Sequence, residues 1–240
     1  MYRTSRINAL VPCYNEQSKI PYVVKRLQET GIIDEVVIVD DGSTDQSAEF
    51  CKNLGATVIS LGSLLGVGTA LRMGMDYCYS RCDIIVILAG NNKDEPREIP
   101  SLLDPIIDGT ADIVQGSRFL KGGAYGGAMP NYRKWATRLH PWLFRLFTQS
   151  KITDSTNGFR AIKKAILSDP RLNLNQPWLN QYELEPYLLF KAIKLKYRIV
   201  EIPVTKIYPP KHLGYTKMRP WIDWWSILRP LFLLGFRLKT

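Results

Sequence analysis

Residues 35–45 read Glu35-Val36-Val37-Ile38-Val39-Asp40-Asp41-Gly42-Ser43-Thr44-Asp45. Four β-branched apolar residues end on two carboxylates, a glycine and two hydroxyls. An apolar run of this length bounded by turn residues reads as a strand buried on both faces. The polar cluster reads as the loop at its carboxyl end, with Ser43 or Thr44 placed to cap a helix that begins near Asp45. The same unit recurs. Ile7–Val11 is followed by Pro12-Cys13-Tyr14-Asn15-Glu16, and Ile84–Leu88 by Ala89-Gly90-Asn91-Asn92-Lys93-Asp94-Glu95-Pro96. Asp112–Gln115 is followed by Gly116-Ser117-Arg118-Phe119, and Ala56–Leu61 is a fifth apolar run. Helical periodicity fills Lys19–Glu29, Asp45–Leu54, Gly66–Tyr79 and Arg97–Ile107, with Gly31 and Gly55 at the expected helix stops. This alternation argues for an α/β fold with a mostly parallel, Rossmann-like sheet flanked by helices. Open sheets of that kind bind ligands at the carboxyl ends of their strands. Four polar clusters on that edge, with carboxylates and an arginine among them, make a candidate site.

The 240 residues suffice for one large domain, or one domain with an appendage. Apolar residues make up 45% and charged residues 22%, enough for a substantial core. A formal net charge of +10 favours anionic partners: nucleoside diphosphates, anionic lipid surfaces or nucleic acid. No zinc knuckle, ribonucleoprotein motif or basic-region helix supports nucleic acid, which is set aside. Cys13, Cys51, Cys78 and Cys82 lie in strand or helix patterns with no cluster of further ligands, so reduced thiols in a cytoplasmic setting are expected rather than zinc or disulfides. No apolar run near the N-terminus has the length of a signal peptide, and no stretch is long enough to span a bilayer. There is no internal repeat.

Beyond residue 120 the pattern changes. Gly122-Gly123-Ala124-Tyr125-Gly126-Gly127 reads as a flexible loop suited to a lid. Arg133–Thr148 is helical in period, with Trp135, Leu139, Trp142, Leu143 and Phe147 among basic residues. Residues 218–240 contain Trp221, Trp224, Trp225, Phe232 and Phe236 between arginines. Such amphipathic segments suit the lipid–water interface, although aromatic stripes also serve as ordinary core. The division expected is 1–217 as the main domain and 218–240 as an interfacial segment. The chain would then sit peripherally at the inner face of the membrane.

Three of the clusters carry a resemblance. Val11–Glu16, Val39–Asp45 and Gly116–Phe119 resemble family-2 glycosyltransferases of the GT-A fold. Asp154-Ser155-Thr156-Asn157-Gly158-Phe159-Arg160 resembles a segment of their polyprenyl-phosphate mannose synthase branch, as do Glu201–Val204 and Gly214–Met218. The resemblance implies inverting hexosyl transfer from a nucleoside diphosphate sugar to an acceptor such as a polyprenyl phosphate or lipid-linked glycan. It implies that Pro12, Tyr14, Glu16 and Asp40 line the base and ribose site, and Asp41 beside them carries a carboxylate of the same use. Arg118, Arg160 and Lys217 would meet phosphate, and Asp154 would be the candidate base. Uridine and guanosine donors both fit. A nucleotidyltransferase, which shares the fold, would carry a glycine-rich phosphate loop where this chain has Pro12–Glu16.

The chain departs from the family after the fourth apolar run. The family's Asp-x-Asp pair, which holds Mg²⁺ or Mn²⁺, is replaced by Ala89 and Asn91. Hard divalent cations prefer carboxylate oxygen. Asn91 with Asp94 or Glu95 would have to rescue a metal site, or Lys93 would supply positive charge directly. The alternative is a catalytically degenerate sugar-nucleotide-binding protein that has lost its metal pair.

Overall fold

The computed structural model describes residues 1–127, 129, 131–209, 217–219 and 222–239. The first half alternates strand and helix: β1 (Ile7–Cys13), α1 (Ile20–Glu29), β2 (Glu35–Asp40), α2 (Ser47–Asn53), β3 (Thr57–Ser60), α3 (Val67–Tyr79), β4 (Ile84–Ile87), α4 (Ile99–Ile107) and β5 (Ile113–Ser117). Then follow β6 (Ala124–Gly127), α5 (Asn131–Thr148), β7 (Arg160–Lys163), α6 (Leu184–Lys194), β8 (Ile199–Pro203), β9 (Thr205–Tyr208) and α7 (Ile222–Gly235). The five expected strands all form, each within a residue or two of its sequence bounds.

The main sheet has the order β3-β2-β1-β4-β7-β5-β8. Its strands are parallel except β7, which runs antiparallel between β4 and β5 and sets Arg160 opposite both Ile87 and Gln115. Alternate side chains feed two cores. Leu10, Val37, Val39, Ile85 and Ile87 face α3, α5 and α6, whereas Ala9, Val11, Ile38 and Val86 face α1, α2 and α4. Burial on both faces explains why these strands read as largely apolar runs, with Asn8 of β1 a buried polar exception. The helices over them are amphipathic. In α1 the buried set is Ile20, Val23, Val24 and Leu27, one stripe at helical spacing. In α3, Gly74 lets the helix lie on β1, since a Cβ there would fall 2.1 Å from Leu10 Cδ1.

Two local expectations are corrected. Residues 124–127 are not a free loop: they form β6, paired in parallel with β9 in a second, two-stranded sheet. Ser43 and Thr44 do not cap α2. They turn instead to Asn15, whose backbone N–H donates to Ser43 Oγ at 2.8 Å and whose Oδ1 accepts from Thr44 N at 2.8 Å. Asp45, one residue before the Gln46 cap position, accepts instead from Ser47 N at 3.0 Å. The carboxylate reaches the helix N-terminus two residues on, which frees the hydroxyls to tie two site loops together. Residues 222–235 fold back as α7 against α5 and α6, with Leu231 fully buried and Leu234 nearly so. Among the described residues, no helix is long and apolar enough to cross a membrane.

Candidate active site

The loops after β1 and β2 form one wall of a cavity of about 760 Å³ at the carboxyl edge of the sheet. Asn15 has φ +50°, a left-handed conformation that asparagine tolerates, and so turns the chain sharply after Tyr14. Pro12, Tyr14, Glu16 and Asp41 all line the cavity. Asp41 is fixed by the N–H groups of Leu65 at 2.7 Å and Gly66 at 2.9 Å; burial nevertheless raises its carboxyl above the usual value. Gly66, with φ +106°, is held against the strap at 178–183, where a Cβ would sit 2.3 Å from Asn180 O. Asp40 does not reach the cavity wall; it is buried behind it and accepts from Ser43 N at 3.3 Å. Lys217 closes the rim. Its ammonium contacts the carbonyls of Tyr14 and Asn15 and lies 3.3 Å from Glu16. Its neighbours Gly214–Thr216 lie outside the described residues.

The loop after β4 presents Ala89, Asn91 and Lys93 to the cavity. Asp94 faces away, and both its oxygens are engaged: Oδ1 with Lys206 Nζ at 2.5 Å, Oδ2 with Ala89 N at 3.2 Å. Arg26 braces the outside of the loop through Asn92 Oδ1 at 2.9 Å and Glu95 at 2.7 Å. Lys93 is buried, with Nζ 4.8 Å from the centre of the Tyr208 ring. The Arg133 guanidinium lies 5.7 Å from the same ring, and Tyr208 Oη accepts from Arg118 at 3.4 Å. Burial, then Arg133, Lys206 and Lys19, push the Lys93 ammonium down to about 7.

A divalent cation would meet few donors on this loop, although Asn91 Oδ1 is buried and without a hydrogen-bond partner. Ala89 has no donor, Asn91 offers one neutral oxygen, and both Asp94 and Glu95 are spent on other partners. The surrounding lysines and arginine would repel the ion. Among the described residues, no three His, Cys, Asp or Glu side chains converge as a metal site.

Behind the floor lies Asp154, without exposed surface. It grips Arg118 at both oxygens, 2.7 Å from Nε and 2.8 Å from Nη2, and accepts from Arg118 N as well. Burial would raise its carboxyl, but Arg118 outweighs that and holds it below the usual range. Asp154 is therefore a weak base, and its side chain lies outside the cavity lining. The expected base therefore stands behind the cavity with Arg118 as its ion-pair partner. Arg160 lines the cavity, pairs with Glu185 at 3.2 Å and donates to Asn157 O at 2.8 Å. His140, fully buried, receives the Ser155 hydroxyl at Nδ1 (2.7 Å); Nε2, facing Ile227 O at 3.2 Å, must then carry the ring proton.

Sequence reasoning thus places Pro12, Tyr14, Glu16, Asp41, Asn91, Lys93, Arg118, Arg160 and Lys217 at the cavity, while Asp40, Asp94 and Asp154 stand behind it. It misses Arg133, Lys206 and Tyr208. The signal for the last two was the alternation of Thr205–Tyr208, a strand whose polar positions face inward. Of the described lining residues, eight are Lys or Arg and four are Asp or Glu, so the cavity is built for an anion.

The pattern of Glycosyl transferase family 2 matches residues 9–169. The chain belongs to that family. This glycosyltransferase is 30% identical over 222 residues to undecaprenyl-phosphate mannosyltransferase of Micrococcus luteus, a match covering 89% of this chain and 87% of the relative. It is 28% identical to polyprenol monophosphomannose synthase of Mycolicibacterium smegmatis, covering 90% and 82%. Glucosyl-3-phosphoglycerate synthase from Mycobacterium tuberculosis, solved with Mn²⁺, UDP and glucosyl-3-phosphoglycerate, shares its fold. The TM-score is 0.73 at 19% identity, over 99% of this chain and 82% of that one. The GT-A expectation holds.

Two outcomes follow from the buried groups. Asp154→Asn strands the Arg118 charge and is expected to cost about 3–5 kcal/mol of stability, measurable by denaturant unfolding. His140 is lowered by burial to about 4 from 6.5, so between those values the unfolded chain binds a proton that the folded one refuses. Stability should therefore fall by about 3 kcal/mol as pH drops through that window, and His140→Gln should unfold with a shallower pH slope.

Proposed function

We propose that this enzyme moves a sugar from a nucleoside diphosphate sugar to the phosphate of a polyprenyl phosphate, inverting the anomeric centre, at the cytoplasmic face of an anionic membrane. The observation that carries this is a net-cationic cavity whose far wall is formed by Arg133 and Thr137 of α5 and by Asp223, Trp224 and Ile227 of α7. The opposite faces of the same two helices are exposed and aromatic. Trp135 (68% exposed), Trp142 and Leu146 stand out on α5, and Ile222 and Trp225 on α7, with Phe236 just past its end. Lys134, Arg138 and Arg145 are exposed around them. Tryptophans flanked by arginines match an anionic headgroup layer. Phosphate and lipid would therefore meet at one place. The relatives' names point to the same acceptor class, and four free, buried cysteines suit a reducing compartment.

The chemistry follows from the charges. An acceptor phosphate is largely ionised at neutral pH, so its oxygen attacks the anomeric carbon without a general base. The new bond forms from that oxygen; the bond to the donor's β-phosphate oxygen breaks, and its electron pair stays on the departing diphosphate. Tyr14 and Asp41 would hold the nucleoside. Arg118, made rigid by Asp154, and Arg160 would orient phosphate, and buried cations would favour the charge that develops on the leaving group. Asp154 is a positioning residue in this scheme.

The test is transfer of labelled sugar from a panel of UDP- and GDP-sugars to polyprenyl phosphate in vesicles. Label should become extractable with the lipid. Binding of nucleotide with neither transfer nor hydrolysis would mark the degenerate binder, and transfer only to a soluble alcohol would replace the acceptor. Exchanging Trp135, Trp142 and Trp225 for serine should reduce sedimentation with anionic vesicles while leaving nucleotide binding intact.

A further inference from the structure

We propose that Lys93, together with Lys206 and Arg133, is a built-in countercharge for the donor's diphosphate, so that this chain binds its nucleoside diphosphate without a divalent metal. The inference rests on the sugar-nucleotide reading above and adds how that site holds its charge.

The loop after β4 begins at the carboxyl edge of the sheet, beside the base-binding loops of β1 and β2. Gly90 N donates to Pro12 O, and a Cβ at Gly90 would lie 3.1 Å from that oxygen, so the two loops touch. Whatever projects from residues 89–93 therefore stands next to the nucleoside wall, where the diphosphate must pass. Two anionic ligands at 89 and 91 would call for a cation there. This chain has a methyl group and an amide instead, and a lysine two residues further on.

Lys93 is also not an ordinary surface lysine. It is 5% exposed, yet it lines the cavity. Its own backbone is pinned, since Lys93 O accepts from Ile207 N at 2.8 Å, and Asn92 before it takes φ +55° to turn the side chain's stem inward. Lys206 arrives from β9 on the far side and is held by Asp94 and by Asn157 Oδ1 at 3.0 Å. Arg133 comes from the first turn of α5. The Tyr208 ring lies close to both Lys93 and Arg133, an aromatic surface that tolerates cations where water is excluded. Several cations converging on one buried part of the cavity wall favour an anionic ligand there. A diphosphate brings two or more negative charges. Asp94, the only carboxylate close enough in sequence to rescue a metal pair besides Glu95, neutralises Lys206 instead. The net positive charge is thereby trimmed rather than lost.

The experiment is calorimetric titration of UDP and GDP into the full chain, in EDTA and in Mg²⁺ or Mn²⁺. One nucleotide is expected to bind in EDTA with an affinity that metal does not improve. Lys93→Met should weaken that binding by about tenfold to a hundredfold, and Lys93→Arg should keep most of it. A Lys93→Met chain that melts lower without nucleotide yet binds it unchanged would mark a lysine with a merely structural role and overturn the proposal. Lys206→Gln gives a second, independent reading of the cluster. Binding that appears only with metal, or that Lys93→Met leaves untouched, overturns the proposal while the sugar-nucleotide reading stands. Failure of every nucleotide under every condition removes both.

Discussion

A carboxylate with no exposed surface organises the floor of this site. Asp154 grips Arg118 with both oxygens and is itself held by Glu201, which accepts from the backbone N–H groups of Thr153 at 2.7 Å and Asp154 at 2.8 Å. Three segments far apart in sequence are joined there: the end of β5, the loop before β7, and β8. The pair survives burial because its lone pairs and N–H groups are nearly all used. Thr156 takes one of the remaining Arg118 donors at 2.8 Å and the Tyr208 hydroxyl another. An arginine so constrained loses little freedom when a phosphate arrives, which is how a fixed charge recognises an ionic ligand better than a mobile one.

The same logic runs across the cavity. Positive charge comes from seven separate segments of the chain, and several of the cations are oriented by a neighbour while still lining the cavity. Arg160 leans on Glu185 and Asn157, Lys206 on Asp94 and Asn157, and Lys217 on the Tyr14 and Asn15 carbonyls. The four acids of the lining lower the total without cancelling it. The field is thus strongest deep in the cleft, where low-dielectric walls concentrate it.

The strands and their four loop clusters are legible in the sequence because buried parallel strands cannot hide: they need unbroken apolar runs, and their loops carry what is left. Tyr14, Asp41, Lys93 and Arg118 follow directly from position after a run. Partners are less legible. That Asp154 meets Arg118 depends on β7 entering the sheet beside β5, and a four-residue strand beginning with arginine has no periodicity to announce it. Lys206 and Arg133 escape for a related reason. Arg133 sits in an amphipathic helix whose pattern is explained without it, and the alternation that carries Lys206 runs for only the four residues of β9. The glycines at 122–127 mislead because glycine permits a loop but also permits β6 to approach β9 closely, where a Cβ on Gly127 would fall 2.0 Å from Tyr208 O.

The place of β7 also bears on how the molecule comes together. β1 to β4 are joined by short local crossovers and can zip up as soon as they exist. β4 then presents Ile84-Ile85-Val86-Ile87 as a bare edge, and its eventual partner is encoded more than seventy residues later, at Arg160–Lys163. Until that segment arrives, β5 and β8 have no route into the sheet. A nascent chain therefore carries an apolar, unpaired strand until Arg160–Lys163 has been made, the kind of edge that recruits strands from other molecules. Slow translation or loss of the β7 segment would show first as aggregation, before any effect on the chemistry of the cleft.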